Sequence, residues 1–168
     1  MIFFKILWHI NCAIKKILLK IIYRNKIKFG KNVQFRKRFN LVIEKNGKVV
    51  IGDNTFFNDD CSINAMSQIN IGKNCLFGEN VKIYDHNHRF RENNKLISEQ
   101  GYSIGKVDIG NNCWICSNTV ILKDSNIKDN TVIGAGNIVD NIIEENTLVI
   151  NKTNYEKIKL HEVKIGNG

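Results

Sequence analysis

From Ile109 to Val139 one large apolar residue recurs every six positions: Ile109, Ile115, Ile121, Ile127, Ile133 and Val139. A helix repeats its buried face every three or four residues and a half-buried strand every second residue, so this period belongs to neither. It predicts a repeat architecture of very short strands joined by tight corners. Four residues after each of the first five stands a small or short polar residue: Cys113, Thr119, Ser125, Thr131 and Asn137. A large side chain filling the interior and a small one near the corner suit a narrow triangular coil. Three hexads then make one turn, and stacked turns make three parallel sheets.

The pattern recurs upstream. Ile51, Phe57, Ile63 and Ile69 keep the phase, two extra residues shift it, and Ile71, Phe77 and Ile83 resume it. Gly52, Gly72, Gly78, Gly110 and Gly134 follow a large residue, where a corner is expected to need a positive φ or close backbone approach. Asn54, Asn74, Asn112 and Asn130 fall at the turns and tolerate the left-handed conformation best after glycine. Phe29, Phe35 and Leu41 keep the spacing in an irregular first coil.

Two stretches depart from the period. Residues 84–108 are too polar for a coil and are predicted to leave the prism as a functional loop, rejoining at Val107. Residues 1–26 read as a basic amphipathic helix with a broad face that includes Phe3, Ile6, Leu7, Ile10, Ile14, Ile17, Leu18 and Ile21. Its lysines make it a poor membrane span, and no small-residue cleavage site follows it. Two readings stay open: packing on the coil or a neighbouring subunit, or lying on an anionic membrane surface. The coil is assigned to residues 27–150 and a C-terminal tail, with a short cap, to 151–168.

Charge bears on the second of these readings. Residues 1–48 hold thirteen Lys or Arg against the single acid Glu44, a net +12, whereas the rest of the chain nets −3. The basic character is therefore local and suits an anionic surface. The run Arg36-Lys37-Arg38 carries no nucleic-acid motif, so no nucleic-acid partner is expected. Five cysteines make no even disulfide framework, and Cys61, Cys75 and Cys113 fall on the small inward position as free thiols. A cytoplasmic location follows, peripheral on the inner membrane face if the helix binds there. Cys113-Trp-Ile-Cys116 lies within a hexad, so its two thiols should diverge. It is read as packing, not as redox or zinc chemistry.

The hexads, with Ile109-Gly-Asn-Asn-Cys-Trp114 and Asn87-His88-Arg89-Phe90, resemble the hexapeptide-repeat acyltransferases. The likeness is closest to the maltose, galactoside and xenobiotic O-acetyltransferase branch and to sugar acetyltransferases of surface-polysaccharide biosynthesis. The resemblance implies an all-β fold, a left-handed parallel β-helix, and a homotrimer with each site between two copies. It implies acetyl-CoA as co-substrate, a sugar or glycan hydroxyl as acceptor, no metal, and backbone amides that stabilise the oxyanion. Counting in register places His88 on the family's catalytic histidine. That residue type is apt, because a hydroxyl needs a base titrating near neutral pH to attack a thioester; His86 is the alternative base.

Asn58 matches the family's asparagine at the acceptor or reacting centre, and Tyr84 and Asp85 are taken as acceptor contacts. Met66 stands where the galactoside branch has an acceptor-binding aspartate, which departs from a galactoside-like acceptor. Trp114 matches the residue shaping the acetyl-CoA tunnel, Ser117 and Ala135 match positions whose backbone amides meet the cofactor, and Tyr102-Ser103 matches a pair near the site. Lys152, Lys157 and Lys159 are candidates for the CoA phosphates. Three rivals stand beside this reading: N-acetylation of an amino sugar, a metal-dependent hydratase like the γ-class carbonic anhydrases, and a non-catalytic scaffold. The hydratase needs three histidines from separate strands, and the chain offers His9, His86, His88 and His161.

Overall fold

A computed structural model describes residues 2–151. The hexads close into coils. Ile27–Phe29, Gln34–Phe35 and Asn40–Ile43 make the first turn; Lys48–Ile51, Phe56–Phe57 and Ser62–Ala65 the second; Gln68–Ile71, Leu76–Phe77 and Lys82–Tyr84 the third. After the excursion come Lys106–Ile109, Trp114–Ile115 and Val120–Ile121, then Asn126–Ile127, Val132–Ile133 and Ile138–Val139, then Ile142–Ile143 and Leu148–Val149. Equivalent strands of successive turns pair in parallel, giving three sheets around one left-handed parallel β-helix.

Register stacks like on like. Phe57 pairs with Phe77, whose rings lie 4.4 Å apart and 13° from parallel, and Ile115 and Ile133 continue that column. The small positions are buried as expected at Cys61, Cys75, Cys113, Thr119, Ser125 and Thr131, while Asn137 is only part-buried. The buried hydroxyls donate to carbonyls one coil on: Thr55 to Gly72 at 3.0 Å and Thr119 to Gly134 at 3.3 Å. This satisfies a polar group that would otherwise cost free energy in the core.

The corners divide their labour in a way the residue pattern left open. Among the described residues only Gly101 and Gly136 are glycines of positive φ; Asn54, Asn74, Asn112 and Asn130 take that conformation, at φ 54–58°. The repeat glycines serve close approach instead: a Cβ on Gly72 would lie 2.4 Å from the Gly110 carbonyl oxygen. The two extra residues are also explained. Met66 and Ser67 form a turn between strands, and Ile69 and Ile71 are both buried in the longer strand that follows.

The helix, Ile2–Tyr23, packs on the first coil. That coil ends the stack, so several of its carbonyls have no coil below to pair with. The helix supplies donors: Trp8 Nε1 to Phe35 O at 3.1 Å, Lys16 Nζ to Val33 O at 3.0 Å, Tyr23 Oη to Leu41 O at 2.9 Å, and Lys15 Nζ to Phe39 O. Lys15 also lies 5.7 Å from the Phe35 and Phe39 ring centres, and partial burial lowers its pKa. An unpaired sheet edge invites aggregation, and this cap removes it. The predicted C-terminal cap and Lys152, Lys157 and Lys159 lie outside the described residues.

Candidate active site

The polar excursion leaves at the corner after the third sheet and is an ordered arm. His86–His88 pairs antiparallel with Tyr102–Ile104, His86 opposite Ile104 and His88 opposite Tyr102, and the chain re-enters the coil at Lys106. Gly101, at φ 71°, makes the return into the second strand, where its carbonyl accepts from Arg89 N–H at 3.0 Å. The buried Gln100 amide accepts from Glu92 N–H and donates to Glu92 O and Lys95 O, each at 3.0 Å, which stiffens the tip.

Alternation along the arm strand puts His86 and His88 on one side, and Tyr84, which ends the coil strand before it, meets His86 edge-on at 6.5 Å. His88 is exposed and its ring centre lies 4.5 Å from that of Tyr102; His86 meets Tyr102 edge-on at 5.5 Å. His88 borders a cavity of about 490 Å³ that Arg89, Arg91, Ser103 and Lys123 also line. Tyr84, His86 and Tyr102 line a smaller one of about 120 Å³ with Asn64 and Met66.

Asp85 takes a place different from the acceptor contact expected of it. It is fully buried, accepting from Met66 N–H at 2.8 Å and Ser67 N–H at 2.7 Å, and its Oδ1 lies 2.9 Å from His86 Nδ1. No oxygen is left facing a ligand. The extra pair of residues at 66–67 creates two N–H groups that the coil ladder does not satisfy, and Asp85 answers both. It also fixes the Nδ1 side of His86 toward itself. The signal in the sequence was the phase shift itself, which marks unpaired backbone needing a partner.

Asn58, Trp114, Ser117 and Ala135 belong to a different edge, the second sheet and the corner that follows it. Trp114 is 52% exposed and stacks between Leu76 and Val132 on the outer surface. At this corner a side chain usually caps the backbone of the coil below: Asp59 Oδ1 accepts from Lys37 N–H at 2.9 Å, and Ser117 Oγ from Glu79 N–H at 3.1 Å. Asn58 Oδ1 accepts from Asp59 N–H at 3.0 Å. The series then stops. Ala135 stands above Ser117 and has no acceptor to offer, and the N–H groups of Ser117 and Ala135 donate to no protein atom among the described residues. Two adjacent backbone donors are thereby open beside an exposed indole, an arrangement that fits an extended ligand with amide carbonyls.

The predicted residues thus fall into two groups. Tyr84, His88 and Tyr102 stand on the arm, Asn58, Trp114, Ser117 and Ala135 on the other edge. No hydrogen bond, ring contact or shared cavity joins the groups among the described residues. Arg91 and Lys123 beside His88 escaped the sequence reading, and Arg89 entered it only as part of the loop motif, because exposed basic residues carry no periodic signal.

Cys113 is buried and Cys116 half-exposed, so the CxxC thiols do diverge. Burial pushes the Cys61 thiol up to about 11, and a hydrogen bond with the Cys113 thiol, together with burial, raises Cys75. Among the described residues no three His, Cys, Asp or Glu side chains come together.

No family model matches the chain. It is 28% identical over 146 residues to WbbJ of Escherichia coli, provisionally named a lipopolysaccharide biosynthesis O-acetyl transferase, covering 83% of this chain and 74% of that one. A maltose O-acetyltransferase from Clostridium difficile is 31% identical and superposes with a TM-score of 0.64, over 77% and 67% of the two chains. A galactoside acetyltransferase in complex with coenzyme A is 27% identical, with a TM-score of 0.61 over 79% and 63%. The chain spans about two thirds to three quarters of these proteins' length.

Proposed function

Because this chain belongs to the hexapeptide-repeat acetyltransferases, we propose that it transfers an acetyl group from acetyl-CoA to a hydroxyl of a sugar, in surface-polysaccharide biosynthesis. The observation that carries the reading is His88, exposed on an ordered arm at the mouth of a cavity large enough for a sugar residue. Acetyl-CoA would supply the activated acyl group. His88 would take the acceptor hydroxyl's proton as its oxygen attacks, work that contributes about 10²–10⁴ in rate. Tyr102 would orient the imidazole through ring contact. His86, tied to Asp85, would hold the arm rather than take the proton.

On the other edge, the open N–H groups of Ser117 and Ala135 would bind the pantetheine arm of acetyl-CoA, with Trp114 as an apolar wall. Asn58 would meet the acceptor with the oxygen lone pair that Asp59 leaves free, or with its amide hydrogens. Since one chain presents base and cofactor edge separately, the complete site would form between copies, the arm of one against the corner of the next in a homotrimer. The enzyme would work in the cytoplasm, where acetyl-CoA is available.

The test follows free-thiol release from acetyl-CoA over a panel of sugars and glycan fragments, with wild type and His88→Ala side by side. Turnover with one acceptor class that His88→Ala abolishes is expected. Unchanged turnover in His88→Ala would overturn His88 as the base.

A further inference from the structure

We infer that the outer face of the N-terminal helix is a docking surface for an anionic lipid bilayer. A helix laid on a protein normally turns its apolar side inward and its charges to water. This one keeps a second apolar side outside. Its coil-facing side buries Cys12 and Leu19 and carries Trp8, Lys15, Lys16 and Tyr23, which with Cys12 bind the open carbonyl edge of the first coil. Its outward side carries Ile10, Ile14, Ile17, Leu18, Ile21 and Ile22, each 49–66% exposed. Their spacing of three, four and seven residues makes one continuous aliphatic stripe on the side opposite the cap.

Neither side of this arrangement is an accident of composition. Lys15 and Lys16 are drawn inward because the terminal coil offers carbonyls that only donors can satisfy. Burying the aliphatic stripe against the coil would have left those carbonyls unpaired, so the fold itself forces the apolar face out. A stripe of six large aliphatic side chains held rigidly in the open is what a monomeric surface avoids and a docking surface requires.

Charge selects the occupant. On the helix and its end, Lys20 and Arg24 are exposed, as are Lys28, Lys31 and Lys45 on the first coil that it caps, and Glu44 is the one acid in a segment of net +12. Two copies meeting through this face would bring two such segments together and repel. A bilayer rich in anionic headgroups would attract them while its acyl region takes the isoleucines. Among the described residues no helix is long and apolar enough to cross a membrane. The helix would therefore lie flat in the interface, with the β-helix standing beneath it on the aqueous side.

The inference does not depend on the acyl-transfer reading, because binding is measured with no substrate present. The full chain is sedimented with vesicles of phosphatidylcholine and phosphatidylglycerol in equal parts, and with vesicles of phosphatidylcholine alone. Binding should be about tenfold or more tighter to the anionic vesicles and should weaken as salt is raised. Ile14→Glu/Ile21→Glu should lose it by about tenfold or more while circular dichroism and melting stay as in wild type, since both side chains point away from the coil. Lys20→Glu/Arg24→Glu, which leaves the stripe intact, should weaken binding to anionic vesicles only. Wild type that stays in the supernatant with both vesicles would overturn the inference. So would an oligomer that Ile14→Glu/Ile21→Glu dissociates in the absence of lipid binding, which would assign the face to subunit packing.

Discussion

The two edges of the prism that carry the candidate residues are built on opposite principles. The corner bearing Asn58, Ser117 and Ala135 is made of repetition: side chains of the coil above cap the Lys37 and Glu79 N–H groups, and the Ser117 N–H stays open where the repeat places Ala135 in that capping position. The arm bearing His88 is made of exception: a two-residue insertion, a buried aspartate and an antiparallel pair inside an otherwise parallel fold. Repetition gives a rigid rail suited to an extended ligand. Exception gives a single side chain reach beyond the prism. On one chain the two stay apart, and the proposed site joins the arm of one copy to the corner of another.

The sharpest way to break this contrast is at the arm's tip. His88→Ala should lower kcat by about 10²–10⁴ with the melting temperature unchanged, the signature of a lost general base on a surface strand. His86→Ala should leave most of kcat and instead loosen the arm, read as a rise in acceptor KM and faster amide exchange over residues 86–104. Equal losses of kcat in both would erase the distinction between base and brace.

At the arm's root the effect should appear in stability. Asp85→Ala strands the Met66 and Ser67 N–H groups at a part-buried bend and should cost about 3 kcal/mol in denaturant unfolding. Asp59→Ala at the rail, where the capped N–H is exposed to water, should cost under about 1 kcal/mol. Within the rail, Gly72→Ala should cost about 1–3 kcal/mol, because its Cβ would press on the Gly110 carbonyl 2.4 Å away.

Milder perturbations sharpen the rail's role. Trp114→Ala should raise KM for acetyl-CoA roughly tenfold, about 1.4 kcal/mol, with kcat less affected. The smallest effect is chemical. The thiolate is the reactive form, so at pH 8 Cys61, pushed up to about 11 by burial, should be about one-thousandth ionised and resist thiol labelling. Cys116, half-exposed on the rail, should label first among the described cysteines, and mass spectrometry after a short exposure checks the order.

The rail was the legible part. Six-residue spacing from Ile109 to Val139 names the large inward residue of each hexad there, and asparagines mark many of the corners that adopt positive φ. What the glycines do was half legible, because close approach depends on the coil above, a partner that spacing does not reveal. The arm's pairing was hidden, since His86–His88 and Tyr102–Ile104 have no apolar alternation to announce a strand. Asp85 reads as a polar loop residue until Met66 and Ser67 are seen to need acceptors. The helix face was hardest. Its amphipathicity is plain in the residues, but which side turns inward is decided by the unpaired carbonyls of the first coil.

The proposed division of the site between copies is tested most directly by complementation. His88→Ala removes the base, and Ala135→Arg, on an exposed corner, blocks the cofactor rail; each alone should be inactive. Unfolded together in equal amounts and refolded, they should recover about a quarter of wild-type activity, the share of arm-to-corner pairs that random mixing leaves intact. A mixture no more active than its parents, with mixed oligomers shown to form, would contradict a site shared between subunits.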